Sequence, residues 1–461
     1  MLSEDTIAAI STPLGFAGIG KIRISGPRAL EVASKLFNSI NDKKLEEAKT
    51  YTAHYGDIVD PQTGQRADEV IVLIMKGPRS FTGEDVVEFD CHGGMVPLQR
   101  VLELVLREGV RLAEPGEFSK RAFLNGRIDL AQAEGIIEVI NSKTEKGLDL
   151  ALDHLSGKLS AVIREIKELL IELFAHLEAS IDFPEDEIEG FNSQQIGEHL
   201  NLIKEKLETL VATSKQGKLY REGIKTVITG KPNVGKSSLL NTLLEEKRAI
   251  VTEIPGTTRD IIEEYISLNG IPLKMIDTAG IRETEDLVEQ IGVERARNSL
   301  EMADLVLMML DNSQGLDNSD LNIYQLVKNK PVIIVVNKTD LAPQITEEEI
   351  KEKFSQHSLI PISIKEERGL ADLKRAIIDQ VLDRELSSEQ TVFITRARHK
   401  NALEKALKAL ERVINSYHNG FPNDFLTIDL KEALNALGEI TGETVTEEII
   451  DRIFIDFCLG K

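Results

Sequence analysis

The chain has no tryptophan, two cysteines and only 5% aromatic residues among its 461 positions. Cys91 and Cys458 cannot build a disulfide framework, which points to a reducing, cytoplasmic setting. No apolar run approaches the roughly 18 residues of a membrane span; the densest, Val332–Val336, is far shorter. The N-terminus, Met1-Leu2-Ser3-Glu4-Asp5, has no basic stretch leading into an apolar core, so no secretory leader is expected. Positive charge is also scarce: 55 Lys and Arg stand against 77 Asp and Glu, a formal net charge of −22. That balance excludes wholesale coating of nucleic acid but not docking through a local basic patch. What is present, 41% hydrophobic residues over this length, suffices for about three domains with separate cores.

Residues 1–118 carry short β-branched runs punctuated by Gly and Pro. Ile19–Gly26 alternates apolar and polar as a half-buried strand does, and Glu69–Met75 is a second strand candidate. This piece reads as α+β. From 119 the period changes. Val162, Ile163, Ile166, Leu169, Leu170, Leu173, Phe174, Leu177 and Ile181 mark one buried helical face, which Pro184 ends. Helical register returns in 398–418 and 429–440. The expected organisation is therefore multidomain: an α+β piece (1–118), a discontinuous α-helical domain (119–216 and 383–461), and an α/β unit inserted over 217–382. The charged stretch Glu347–Glu352 reads as a solvated helix face.

Ile224–Thr229 reads as a strand. Gly230-Lys231-Pro232-Asn233-Val234-Gly235-Lys236-Ser237 follows at once, and Ser238–Leu244 continues as a helix. This is the G-x-x-x-x-G-K-[ST] phosphate loop in its expected strand–helix context, which makes a chance glycine-rich turn the weaker alternative. Backbone N–H groups of such a loop converge on phosphate oxygens at a helix N-terminus. Lys236 would reach the β- and γ-phosphates and the Ser237 hydroxyl would ligate Mg²⁺.

Asn337-Lys338-Thr339-Asp340 follows the apolar strand Val332–Val336. An aspartate there can accept from both N1–H and the 2-amino group of guanine, whereas adenine offers an acceptor and no 2-amino group. Asp277-Thr278-Ala279-Gly280 lies between the two motifs. Asn269-Gly270 predicts a hairpin turn just before it, and Ser363-Ile364-Lys365 would complete the base pocket. The order is that of a Ras-like P-loop GTPase. The position after Gly280, where such domains carry a water-positioning Gln, is Ile281, which cannot orient water. A P-loop ATPase is disfavoured by Asp340.

Beyond these motifs the chain resembles the MnmE (TrmE) family of tRNA modification GTPases along its whole length. The resemblance is carried by Gly256-Thr257-Thr258-Arg259-Asp260, Asp277-Thr278-Ala279-Gly280-Ile281-Arg282-Glu283, Gly83-Glu84-Asp85 and His92-Gly93-Gly94. Pro115-Gly116-Glu117-Phe118, Asp129–Glu134 and the terminal Phe457-Cys458-Leu459-Gly460-Lys461 add to it. It implies a dimerising, tetrahydrofolate-binding domain over 1–118, the helical domain in two parts and a TrmE-type G domain over 217–382. It also implies a homodimer working with MnmG (GidA), an FAD protein that carries its own flavin, in a heterotetramer or larger complex. Together they would add a carboxymethylaminomethyl or aminomethyl group to C5 of wobble uridine (position 34) in certain tRNAs. The carbon would come from 5-formyl- or methylene-tetrahydrofolate. A regulatory or assembly GTPase switch, with no one-carbon chemistry, is the alternative.

Residue by residue, the resemblance implies GTP contacts from Asn233, Val234, Gly235, Lys236, Ser237 and Ser238. It extends them to Thr252, Glu253, Ile254, Pro255, Gly256, Thr257 and Thr258, to Asp277, Thr278, Ala279 and Gly280, and to Asn337, Lys338, Asp340, Ser363, Ile364 and Lys365. Ser237 and Thr258 would hold Mg²⁺. Asn233, Thr252, Ile254 and Thr257 would hold K⁺, although Asn233 could simply cap its turn. Glu289 would orient water through a bridging water in place of the missing Gln, with Arg282 supporting that loop. Arg23, Glu88, Arg127 and Lys461 match the family's folate-binding positions. Cys458 is either a thiol acting on a one-carbon intermediate or a small buried hydrophobe; Cys91 reads as structural. For tRNA, Thr395–Lys400 with Lys405 and Lys408 is the densest basic patch, with Lys120-Arg121 and 215–225 weaker.

Overall fold

The computed structural model describes residues 5–41, 44–182, 193–246, 264–276, 299–381 and 392–461. The N-terminal strands are β1 (Ile7–Ile10), β2 (Ile19–Ser25), β3 (Phe37–Ser39), β4 (Thr52–Val59), β5 (Arg66–Met75), β6 (Val86–His92) and β7 (Arg111–Leu112). They form one sheet in the order β3-β4-β5-β6-β2-β1-β7. Helices α1 (Ala29–Leu36) and α2 (Met95–Arg107) pack on it, closing a core that includes Ile22, Ile24, Val72, Phe89 and Val101. The alternation expected in β2 is present. Ile22 and Ile24 point into the core while Lys21 and Arg23 take the other face, and the register sets Arg23 opposite Glu88 of β6.

Helices α3 (Glu117–Leu124), α4 (Leu130–Asn141), α5 (Glu145–Leu155), α6 (Lys158–Asp182) and α7 (Ser193–Glu222) follow. Asp129 and Gln132 close a capping box on α4, a device worth about 1 kcal/mol. The helical face expected over 162–181 is real. Ile163, Ile166, Leu170, Leu173 and Leu177 are fully buried, while Val162, Leu169 and Phe174 are packed at its margin. Truncating Leu170 to Ala would cost about 2–5 kcal/mol through the cavity left behind. The described helix runs to Asp182, and Pro184 lies outside the described residues.

A six-stranded sheet comes next, in the order β13-β12-β11-β8-β10-β9. Its strands are β8 (Ile224–Thr229), β9 (Glu264–Leu268), β10 (Ile271–Met275), β11 (Leu305–Asp311), β12 (Val332–Asn337) and β13 (Ser358–Pro361). All neighbours are parallel except β9 and β10, which form a hairpin. Asn269 and Gly270 at its tip have φ of 48° and 84°, the left-handed pair that a two-residue hairpin turn needs. Helices α8 (Lys236–Glu246), α9 (Asn318–Val327), α10 (Glu347–Phe354) and α11 (Leu370–Val381) accompany the sheet. Every residue of β11 and β12 is buried, as expected of parallel strands covered on both faces.

Helices α12 (Ala397–His418), α13 (Asn423–Thr441) and α14 (Glu447–Ile455) complete the chain. Leu403, Ala406 and Leu410 of α12 and Leu430 and Leu437 of α13 share one core with α6 and with Leu200, Ile203 and Leu207 of α7. Residues on both sides of the six-stranded sheet in sequence thus bury one common surface. Where the chain leaves and re-enters this bundle it touches itself. Ile394 N donates to Thr213 Oγ1 at 3.1 Å, and a Cβ added at Gly217 would sit 2.3 Å from Ile394 O.

Candidate functional site

The loop after β8 and the segments after β11 and β12 meet at the carboxyl edge of the six-stranded sheet, the usual ligand position in open α/β folds. Gly230, Asn233 and Gly235 have φ of 145°, 63° and 104°. A Cβ at Gly235 would lie 2.5 Å from Asn337 Nδ2, so glycine is required by close approach as well as by backbone sign. Lys236 curls back and donates from Nζ to Gly230 O (2.8 Å) and Lys231 O (2.7 Å). Burial pushes its pKa down, so this ammonium would gain from an anion at the loop. Val234 is buried, while Asn233, Ser237 and Ser238 face outward at the start of α8. Among the described residues the Asn233 side chain has no hydrogen-bond partner, so no cap supports its alternative reading.

The candidate base pocket is tied directly to that loop. Asn337 Nδ2 donates to Val234 O at 2.8 Å, and Asn337 Oδ1 accepts from Ile364 N at 3.3 Å. Ser363 Oγ donates to Asp340 Oδ1 at 2.7 Å, and this bond is the main cause holding the Asp340 carboxyl below the usual carboxylate range. An ionised Asp340 is acceptor-only and presents two oxygens, the complement of guanine's adjacent N1–H and 2-amino group. Lys338, at φ 62°, ends on Asp311 Oδ2 at 2.6 Å. Lys365 follows on the same loop as Ser363 and Ile364.

Two supporting groups were missed in the sequence. Asp311, the buried last residue of β11, anchors Lys338 and accepts from Ser313 N and Oγ. Lys231, inside the phosphate loop, pairs with Asp320 (2.8 Å) and Asp317 (3.0 Å) at the start of α9. The available signal was an acidic residue closing a wholly apolar strand, and an Asp-x-x-Asp capping box opposite a loop lysine. Thr252, Glu253, Ile254, Pro255, Gly256, Thr257, Thr258, Asp277, Thr278, Ala279, Gly280, Arg282 and Glu289 lie outside the described residues.

A second cluster joins the chain's end to the N-terminal sheet. Arg23 Nε donates to Glu88 Oε1 at 2.8 Å and Arg23 NH1 to Gly460 O at 3.2 Å. Lys21 holds the other Glu88 oxygen at 2.6 Å. The Arg23 guanidinium also lies 5.5 Å from the ring centres of Phe81 and Phe118. Burial opposes ionisation of Glu88, yet Arg23 and Lys21 hold its pKa down. Burial and then the Arg23 charge push the Lys461 pKa down. Arg23, Glu88 and Lys461 therefore gather at one place. Arg127 does not join them: it is exposed and lines a different depression with Arg164, Thr441 and Glu443.

Cys458 is exposed beside this cluster, and its carbonyl accepts from Gly116 N and Lys461 N. The alternative of a buried hydrophobe fails for it. Cys91 is buried, and burial pushes its thiol up to about 12, in keeping with a structural residue.

The basic patch expected at Thr395–Lys400 is not a free surface. Arg398 and His399 converge on Glu134, with 2.7 Å contacts from Arg398 NH2 and His399 Nε2. Arg396 Nε meets Glu138 at 2.7 Å, beside Thr395 Oγ1 and His154 Nδ1, each 3.1 Å from Glu138 Oε2. Lys400 pairs with Glu404 and Lys405 with Glu439. The two arginines are drawn inward because Glu134 and Glu138, one helical turn apart on α4, are buried and need counter-charges. Against the desolvation that favours neutral acids, His399, Arg398 and Arg396 keep Glu134 well below the carboxylate range. Burial pushes the His399 pKa down, and among the described residues its Nδ1 has no hydrogen-bond partner. Lys120-Arg121 is spent likewise: Lys120 pairs with Asp451, and Arg121 is buried against Asp5, Glu84 and Glu117.

Two families match the chain. One described as "MnmE helical domain" covers residues 130–458, and one described as "GTP-binding protein TrmE N-terminus" covers 6–127. The tRNA modification GTPase MnmE of Alkaliphilus metalliredigens is 50% identical over 461 residues, covering 100% of both chains. That of Geobacillus thermodenitrificans is 49% identical over 462 residues, again covering 100% of both. Among solved structures, Aquifex aeolicus Era bound to GDP and AlF4⁻ is 35% identical over 40% of this chain and 65% of its own, with a TM-score of 0.28.

Proposed function

Because the chain belongs to the MnmE family of tRNA modification GTPases, we propose that it couples GTP hydrolysis to a folate-dependent change at C5 of the wobble uridine of tRNA. In this reading it acts as a homodimer with an MnmG-like FAD protein. The observation that carries the GTP half is the bond from Asn337 to Val234, which fuses base pocket and phosphate loop into one nucleotide-shaped frame. The modification half is supported by the whole-length likeness to MnmE proteins.

Within that frame Asp340 selects guanine, Lys338 covers the base, and Lys236 turns from its loop carbonyls to the phosphates. The exposed Ser237, with Thr258, suits Mg²⁺. Asn233, with its unengaged side chain, suits K⁺ together with Thr252, Ile254 and Thr257; such ions supply positive charge against the phosphate oxygens. Glu289, supported by Arg282, would position the attacking water. At the N-terminal cluster, Glu88 is suited to the amino-pyrimidine edge of a reduced folate and Arg23 and Lys461 to its anionic groups, with Cys458 exposed beside them for one-carbon chemistry.

The deciding experiment follows GTP turnover and wobble-uridine modification together, using full-length protein, the flavoprotein partner, a reduced folate and unmodified tRNA. Modification that needs GTP hydrolysis supports the proposal. GTP turnover with no folate binding and no nucleoside product would leave a regulatory or assembly switch.

A further inference from the structure

The six-stranded sheet and the helical bundle enclose a cleft of about 460 Å³. The sheet contributes Lys225 of β8, Tyr265 of β9 and Lys274 of β10, with Lys225 and Lys274 direct partners on adjacent strands. The bundle contributes Lys143, Tyr220, Arg221 and Arg396. A second depression, lined by Arg398 and Arg452, shares Arg221 and Arg396 with the first. The two make one groove running from the β9–β10 hairpin to α14.

Its charge is unlike the rest of a chain at −22. Glu134 and Glu138 are already engaged by Arg396 and Arg398, Glu222 is paired with Arg221, and Asp456 is the remaining acid of the lining, against seven Lys and Arg. Lys143, Lys225 and Arg452 have no carboxylate partner among the described residues. Lys143 instead lies over the Tyr265 ring, 5.2 Å from its centre. Cations spaced along a groove and interleaved with an aromatic face suit a strand of phosphodiesters carrying unstacked bases.

We infer that this groove, where the α/β unit meets the helical bundle, holds the sugar-phosphate backbone of the RNA substrate. The inference rests on the tRNA reading above and adds a location to it. Because its walls belong to two units, any movement of one against the other would change the spacing of the cations. RNA grip and nucleotide state would then be linked.

The test is fluorescence anisotropy of unmodified tRNA with the full chain across a salt series. It compares wild type, K143E/K225E and R452E, with circular dichroism and GTP turnover as checks on folding. The double variant should bind at least tenfold more weakly, with a log–log salt slope shallower by about 2 for two lost phosphate contacts. In the wild-type protein, bound tRNA should also shield Lys143 and Lys225 from chemical acetylation, a readout needing no variant. Wild-type affinity and slope in both variants, with no shielding, would overturn the site while leaving the tRNA reading intact. A wild-type chain that binds no tRNA at any salt would overturn both.

Discussion

The Thr144 hydroxyl donates to the Gly270 carbonyl at 2.7 Å and accepts from Gly147 N at 3.1 Å. One side chain therefore caps α5 and grips the tip of the β9–β10 hairpin. β10 in turn pairs with β8, the strand that leads into the phosphate loop, so the hairpin ties that part of the sheet to the bundle.

Thr144→Val should keep GTP turnover within about twofold of wild type while lowering tRNA modification several-fold. Some stability, about 1 kcal/mol, goes with the lost cap. Thr144→Ser should restore both. Parallel assays of phosphate release and modified nucleoside check this; equal loss of the two activities would count against a coupling role.

In the proposed function base selection rests on Asp340. Asp340→Asn replaces an acceptor by a donor against guanine's N1–H and 2-amino group, and should weaken GTP binding at least about 100-fold. Xanthosine triphosphate, with an oxygen at C2, should recover affinity in the variant. Calorimetric titration with both nucleotides gives the answer.

The buried acids set a pH signature. Burial opposes it, but His154 and Arg396 hold Glu138 down to about 2, against about 4.3 in an unfolded chain. A depressed carboxylate contributes stability that is complete above the unfolded value and lost as pH falls through the folded one. Glu138→Gln should therefore lower stability by about 3–5 kcal/mol near neutrality. The gap to wild type should close between about pH 4.5 and 2, as read from denaturant midpoints. A gap independent of pH would mean that Glu138 acts by packing alone.

Potassium should stimulate GTP turnover markedly over sodium at equal ionic strength, and Asn233→Ala should abolish the difference. Equal rates in the two salts would remove the ion from the scheme.

Cys458→Ser should leave GTP turnover unchanged and abolish modification if the exposed thiol takes part in the one-carbon step. Retained modification would reduce the terminal segment to its structural contacts, Gly460 O with Arg23 and Cys458 O with Gly116.

Much of this was legible in advance because the signals were local. The period of 162–181, the alternation in β2, the Asn269-Gly270 turn and the strand–loop–helix around Lys236 each depend on neighbours within a few residues. The motifs that hold Asn337, Asp340 and Ser363 were also readable, and the structure brings the three together beside the phosphate loop. The partners that tune them were not: Asp311 under Lys338 and Asp320 under Lys231 are brought in by sheet register and helix packing. Nor could composition show that Arg396 and Arg398 turn inward. They lie about 260 residues from Glu134 and Glu138 in sequence, and only the folded bundle reveals that two acids were waiting for them.

The contact of Gly217 with Ile394 has an architectural corollary. Outgoing and incoming chain lie side by side at the bundle's boundary, so the α/β unit enters and leaves its host through one paired stalk, beside the Thr144–Gly270 contact. A few glycines and serines bridging that stalk should let the helices close over their own core with the whole unit excised. Nucleotide chemistry would then be a detachable cassette, free to be tuned or exchanged without re-engineering the scaffold that carries it.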